Sequence, residues 1–71
     1  MNLTPKQFIV LQLSAQGYAG KEIAEKLGIG LKSVISRKHQ VFKKLGAQSA
    51  PHAVNIAWQR GIFTKENIHH Q

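Results

Sequence analysis

Cysteine is absent from the chain, and acidic residues are few. Without cysteine there is neither a disulfide framework nor a thiolate metal site, which fits a reducing compartment. The 71 residues hold three Asp and Glu against ten Lys and Arg, for a net charge of +7. Three acids leave little material for acid–base chemistry, and no nucleophile–base constellation is visible. The sequence therefore predicts that the chain is not an enzyme and uses no cofactor.

Long hydrophobic runs and a metal-ligand pattern are also missing. No segment approaches the roughly 20 apolar residues that span a bilayer, and the first residues, MNLTPKQF, lack the apolar region of a signal peptide. We therefore expect a cytoplasmic protein. The histidines predict no metal site, because no pair has helical i,i+4 spacing and no thiol or carboxylate joins them. They are His39, His52, His69 and His70.

The positive charge is concentrated in the middle of the chain. No acid occurs between Lys26 and Lys65. Five of the ten basic residues fall within thirteen positions: Lys32, Arg37, Lys38, Lys43 and Lys44. This distribution indicates a polyanionic partner, nucleic acid first and anionic membrane second. The alternative is a solvated basic surface that only aids solubility. Membrane binding is disfavoured because no large apolar face is turned outward beside the basic one.

Capping residues predict four helices and no strands. Thr4 and Pro5 open the first helix, and Gly17 ends it. A short second helix covers about 21–27, the turn LGIG follows, and a third helix runs over about 31–45. Ser49 caps a fourth helix that ends at Gly61. Since nothing alternates with period two, we predict a single all-α domain over 1–71, with its core at about 3–61 and a tail over 62–71.

The third predicted helix has two unlike faces. At about 100° per residue, the apolar residues share one arc: Leu31, Val34, Ile35, Val41, Phe42 and Leu45. A polar stripe lies well away from it: Lys32, Ser36, His39 and Lys43. Polar and cationic side chains on a rigid helix suit the phosphates and base edges of a major groove, which is wide enough to admit a helix. With the second helix braced across the turn, the pattern predicts a helix-turn-helix.

Several short motifs, in order and at the right spacing, resemble the LuxR/GerE-type DNA-binding domain. They cover about residues 3–61 and read LTP (3–5), VL (10–11), KEIA..L.I (21–29), SV (33–34), KLGA (44–47) and AV..A...G (53–61). The resemblance implies a free-standing, four-helix bacterial transcription regulator that is associated with the nucleoid and whose third helix enters the major groove. It also implies base contacts at Ile35, Ser36 and His39, and phosphate contacts at Lys21, Lys32, Ser33 and Lys43.

Some positions depart from the pattern of that family. Gln7 and Ile9 stand where acids are usual, and Lys38 stands where an apolar residue is usual. Lys38 also falls in the centre of the apolar arc. We expect its stem to lie along the apolar surface with the ammonium in solvent, or its ammonium to reach Glu22 or Glu25.

The fourth helix has more apolar surface than one contact needs. Its apolar residues, from Ala53 to Trp58, span an arc of about 200°, whereas one contact face needs little more than about 100°. This predicts a homodimer through Val54, Ala57 and Trp58, with Trp58 as the anchor. The alternative is a small core that absorbs all of these residues.

The sequence therefore predicts a sequence-specific regulator that binds double-stranded DNA as a homodimer. A second hypothesis is a protein-binding module of the same fold that caps or inhibits another regulator, which the departures at Arg37, Lys38 and Ala50 motivate. A third is a promoter-binding fragment like the last domain of a sigma factor, but such a domain does not normally carry the pattern of the fourth helix.

Overall fold

The computed structural model describes residues 3–65, which form four helices and no strands. The helices are α1 (Pro5–Ala15), α2 (Gly20–Leu27), α3 (Leu31–Leu45) and α4 (Ala50–Gln59). The predicted all-α class is confirmed, and α2 begins one residue earlier than expected. None of the helices in this part of the chain is long and apolar enough to cross a bilayer. His69 and His70 lie outside the described residues.

Local side-chain bonds explain where the helices begin. Thr4 Oγ1 accepts from the backbone N–H of Gln7 at 3.2 Å, and Gln7 Oε1 accepts in return from the N–H of Thr4 at 3.1 Å. Ser49 caps α4 by accepting from the N–H of His52 at 3.3 Å. Ala19 has no capping oxygen, and Glu22 instead reaches back to the N–H of Ala19 at 2.9 Å. Each bond satisfies a backbone group that the first turn leaves without a helical partner.

A tight turn sets α2 against α3. Gly28 ends α2 with a φ of 66°, in the left-handed region that residues with a Cβ rarely adopt. The N–H of Ile29 returns to the carbonyl of Ala24 at 3.0 Å, and Gly30 is the N-cap of α3. The chain therefore turns sharply within three residues, and α2 packs directly against α3.

The core consists of two clusters of buried residues, both of which α1 and α3 enter. One joins α1, α2 and α3: Val10, Ile23, Ala24 and Val34. The other joins α1, α3, α4 and the segment after α4: Leu11, Val41, Leu45, Ala53, Ala57 and Phe63. Because α3 is held by both clusters, its inner face is fixed along most of its length and its orientation is determined by the whole fold.

Phe63 extends the core beyond the limit expected from the sequence. It is only 2% exposed, although the tail was predicted to begin at residue 62. Its ring meets Phe8 edge to face, with the centroids 5.6 Å apart. The segment after α4 therefore folds back onto α1, and Phe63 belongs to the domain core.

The apolar arc of α3 is only partly an inner face. Val34, Val41 and Leu45 are buried as predicted, whereas Leu31 is 46% and Ile35 is 43% exposed. Both exposed residues lie at one edge of the arc, about 60° and 100° around the helix from Val34, which is fully buried in the same two turns. The assignment of Leu31 and Ile35 to the packed face is corrected accordingly.

Candidate nucleic-acid interface

The exposed side of α3 forms a continuous polar surface, called here the outer face. A surface depression of about 460 Å³ runs along it, lined by Lys32, Ile35, Ser36, His39, Gln40 and Lys43. A second depression of about 330 Å³ adjoins it, lined by Lys32, Ser33, Ser36, Arg37 and Gln40. Residues one helical turn apart line the same depression because the helix repeats every 3.6 residues.

The structure brings together most of the predicted contact residues. All three predicted base-contacting residues, Ile35, Ser36 and His39, line the larger depression. Of the predicted phosphate contacts, Lys32 and Lys43 line the same depression and Ser33 lines the adjoining one. Lys21 is exposed near the start of α2 and lines neither. It could touch DNA only from the flank of this surface.

The outer face keeps its positive charge. Within residues 3–65, neither Glu22 nor Glu25 forms an ion pair, and α3 has no acid in its first turn. Glu22 serves instead as a helix cap, and Lys26 lies over the ring of Tyr18 at 4.4 Å. Cations without nearby carboxylates attract a polyanion most strongly.

Lys38 does not belong to the outer face. It is half-buried between α3 and the start of α2, and its Nζ lies 3.6 Å from where a Cβ on Gly20 would stand. Among the described residues it forms no ion pair with Glu22 or Glu25, so the expected pairing does not occur. Side-chain carbons of Leu31 and Val34 approach the same point beside Gly20, at 3.4 and 3.9 Å.

The predicted dimer residues have different environments. Trp58 is 40% exposed and Val54 is half-buried, so both present surface at the outside of α4. Ala57 is fully buried within the single chain. It packs in the core and has no surface to offer a second chain, which removes it from the predicted contact.

Two polar residues of this region were not predicted from the sequence. Gln40 lines both depressions of the outer face, and Gln7 of α1 bonds to it from behind at 3.1 Å. Their 33-residue separation conceals the pairing, and the only local signal was a glutamine in the first turn of α1. No group of metal-ligating side chains occurs among residues 3–65.

The profile of the family described as "Bacterial regulatory proteins, luxR family" matches residues 1–57. The chain belongs to the LuxR family. This LuxR-family domain is 46% identical over 65 residues to the transcriptional regulatory protein YdfI of Bacillus subtilis, which covers 92% of the chain and 30% of that relative. It is 40% identical over 61 residues to the oxygen regulatory protein NreC of Staphylococcus aureus, which covers 86% of the chain and 28% of that relative.

A solved structure shares both the fold and part of the sequence. The structure described as "VqmA bound to DPO" superposes with a TM-score of 0.79 at 28% identity, over 100% of the LuxR-family domain and 37% of that chain. The chain thus spans less than a third of the length of the curated relatives described above. The likeness concerns the four-helix unit that carries the outer face.

Proposed function

We propose that the chain is a sequence-specific DNA-binding domain of a transcriptional regulator that inserts α3 into the major groove. The observation that carries this proposal is the outer face of α3. It combines exposed cations, hydrogen-bonding groups and one apolar side chain on a helix whose opposite side is fixed in the core. A major groove admits a helix of this kind, and rigid placement lets short side chains discriminate base edges.

Each residue of the outer face has a distinct role in this proposal. Ser36 and His39 both donate and accept hydrogen bonds, so they can contact base edges. Ile35, 43% exposed, offers a methyl-rich surface that suits the methyl group of thymine. The ammonium groups of Lys32 and Lys43, with the hydroxyl of Ser33, would fix the register on the phosphates. Lys21 would touch the backbone beside the groove.

Two copies of the domain would associate through α4. Trp58 is large, rigid and 40% exposed, and half-buried Val54 lies one turn before it. Aromatic anchors of this type dominate many protein interfaces. A twofold dimer would present two copies of α3 about 34 Å apart, one helical turn of DNA, and would favour a palindromic site.

The test is a salt series of binding to random duplex DNA, followed by selection from a random library. DNA binding through the outer face predicts a steep linear fall of log affinity with log salt concentration, because bound phosphates release counterions. A DNA-reading dimer also predicts an enriched palindrome. If the protein binds no DNA at low salt but forms a stable heterodimer with another regulator, the DNA-binding proposal fails and the capping module replaces it.

A further inference from the structure

Gln7 connects α1 to the outer face of α3 from behind. It is 7% exposed and is the one buried polar residue among those the structure describes. Its Oε1 accepts from the ammonium of Lys44 at 2.8 Å and from the backbone N–H of Thr4 at 3.1 Å. Its Nε2 donates to Oε1 of Gln40 at 3.1 Å. Both ends of the buried amide are therefore occupied.

The two groups on Gln7 Oε1 fix the orientation of the amide. A lysine ammonium and a backbone N–H can only donate, so the atom that they share must be the carbonyl oxygen. The NH2 group of Gln7 then faces Gln40 and has to meet an acceptor there. Gln40 must in turn direct its own carbonyl oxygen inward, because its NH2 group would oppose another donor.

The opposite end of the Gln40 amide is left for a partner. Gln40 is exposed, lines both depressions of the outer face, and donates no side-chain hydrogen bond within residues 3–65. With its oxygen held by Gln7, it presents Nε2 and cannot present an acceptor. The Gln40 side chain therefore offers a hydrogen-bond donor. The residue that orients it, Gln7, is too deeply buried to contact DNA itself.

We propose that Gln40 is a further DNA-contacting residue and that Gln7 is the positioning residue that makes it a donor. The inference rests on the proposed function of the outer face and specifies which kind of DNA group Gln40 can contact. The partner of Gln40 Nε2 is a hydrogen-bond acceptor on DNA, either a phosphate oxygen or a major-groove acceptor such as purine N7 or guanine O6. Base-edge donors, such as adenine N6 and cytosine N4, are rejected because two donors would face each other.

The test is a double-mutant cycle of Gln7→Glu and Gln40→Ala, with affinities measured on the duplex selected by the wild-type protein. A carboxylate at position 7 still accepts from Lys44 and Thr4, but its second oxygen can only accept. The Gln40 amide must then reverse and present its oxygen to the DNA. We expect Gln40→Ala to weaken binding about three- to tenfold for each half-site, the scale of one hydrogen bond.

Measuring Gln7→Glu in the Gln40→Ala background separates two effects on affinity: the reversal of the Gln40 amide and the negative charge added at position 7. Gln7→Glu places a negative charge near the DNA in both backgrounds, but only Gln40 can reverse. We therefore expect the loss of affinity caused by Gln7→Glu to be about three- to tenfold greater for each half-site when Gln40 is present. Equal losses in both backgrounds overturn the role of Gln7, and unchanged affinity of Gln40→Ala overturns the contact itself.

Repeated library selection identifies the acceptor. If Gln40 contacts a base, Gln7→Glu shifts the preference at one position of the half-site toward adenine or cytosine, whose exposed amines match an acceptor. If it contacts a phosphate, affinity falls for all sequences and no preference changes. Either pattern supports the proposal if the double-mutant cycle also shows that the effects of Gln7→Glu and Gln40→Ala depend on each other.

A measurement on the wild-type protein covers the case in which Gln7→Glu does not fold. In ¹⁵N-labelled protein, the side-chain NH2 signals of Gln40 should move on adding the selected duplex, while those of buried Gln7 stay nearly fixed. Gln40 signals that do not move overturn the contact while leaving the proposed function intact. Failure of the wild-type protein to bind any duplex would instead refute the proposed function, and this inference with it.

Discussion

The indole ring of Trp58 meets the ring of Phe63 edge to face, with the centroids 5.7 Å apart and the planes at 68°. Phe63 is buried and fixes the segment after α4 against α1, whereas Trp58 stays 40% exposed. One side of the indole is thus supported by the core and the other side is open. A rigid, half-exposed aromatic ring of this kind is suited to anchor a second chain.

Trp58→Asp is expected to separate the proposed dimer into monomers. A carboxylate in an apolar interface loses its hydration without gaining a partner, which costs several kcal/mol. Analytical ultracentrifugation should show a monomer, and affinity for a palindromic duplex should fall at least about tenfold, since the two half-sites no longer act together.

Gln48→Glu is the matched control, because it adds the same charge at an exposed position before α4. It should leave both mass and affinity nearly unchanged. Val54→Asp tests the same face independently. If Trp58→Asp and Val54→Asp bind the palindrome as tightly as the wild type does, the dimer through α4 is excluded.

The turn between α2 and α3 offers two glycines with opposite expectations. Gly28 has a φ of 66°, and no atom lies within 4 Å of where a Cβ would stand, so Gly28→Ala meets backbone strain without a clash. We expect a loss of about 1 kcal/mol in the free energy of unfolding. Urea denaturation measures it. A variant as stable as the wild type would show that the left-handed conformation at residue 28 is not required.

Gly30→Ser in the same turn should act in the opposite direction. Gly30 has an extended backbone with a φ of −74° at the N-cap of α3, and no side chain caps that helix. A serine hydroxyl there can accept from an N–H of the first turn, which stabilises by a few tenths of a kcal/mol relative to glycine. The two variants together separate the effect of backbone conformation from that of simply adding a side chain.

Most of the fold could be predicted from the sequence because its signals are local. Thr4 with Pro5, Gly28 and Ser49 each act within a few residues, and they placed the helix boundaries. The burial of Phe63 depends on rings that are distant in the sequence, so helical periodicity could not predict it. The outer face could also be predicted from local signals, because polar residues one turn apart lie on the same side of any helix.

The errors within the candidate site came from packing between helices. Ile35 was placed on both the apolar arc and the base-contacting set, and periodicity alone cannot show which edge of that arc the other helices leave uncovered. Ala57 was assigned to a dimer contact because it lies on an apolar face, yet the rest of the chain covers it completely. The bond between Gln7 and Gln40 joins side chains 33 residues apart and has no sequence signature.

Ser14 is expected to destabilise the fold slightly. Its hydroxyl oxygen is buried and has no hydrogen-bond partner among the described residues. Removing a buried unsatisfied polar group usually stabilises, so Ser14→Ala should raise the free energy of unfolding by about 1 kcal/mol. Ser36→Ala is the control, because it removes a hydroxyl at an exposed position within α3. Helix propensity alone should raise its free energy of unfolding by no more than about 0.5 kcal/mol. Destabilisation by Ser14→Ala in thermal or urea unfolding would mean that this hydroxyl has a favourable partner.

Lys43→Ala should change the salt dependence of DNA binding. Lys43 lines the larger depression of the outer face, where its ammonium would displace one counterion from a phosphate. The slope of log affinity against log salt should fall in magnitude by about 0.9 for each protomer bound, or about 1.8 for the proposed dimer, with a similar loss of affinity for every sequence. Lys65→Ala removes the same charge from an exposed residue that lines neither depression. An equal change of slope in both variants would assign the effect to net charge alone.

The central claim is that α3 lies in the major groove of DNA. The most direct test is a titration of ¹⁵N-labelled protein with the selected duplex, monitored through the backbone amide signals. If α3 lies in the major groove, the largest shifts should fall on the outer face, from Lys32 and Ser33 through Ser36 and His39 to Lys43. Amides of buried residues and of the middle of α1 should move little. Shifts confined to α4 around Trp58, or spread evenly over the surface cations, would contradict the placement of α3 in DNA.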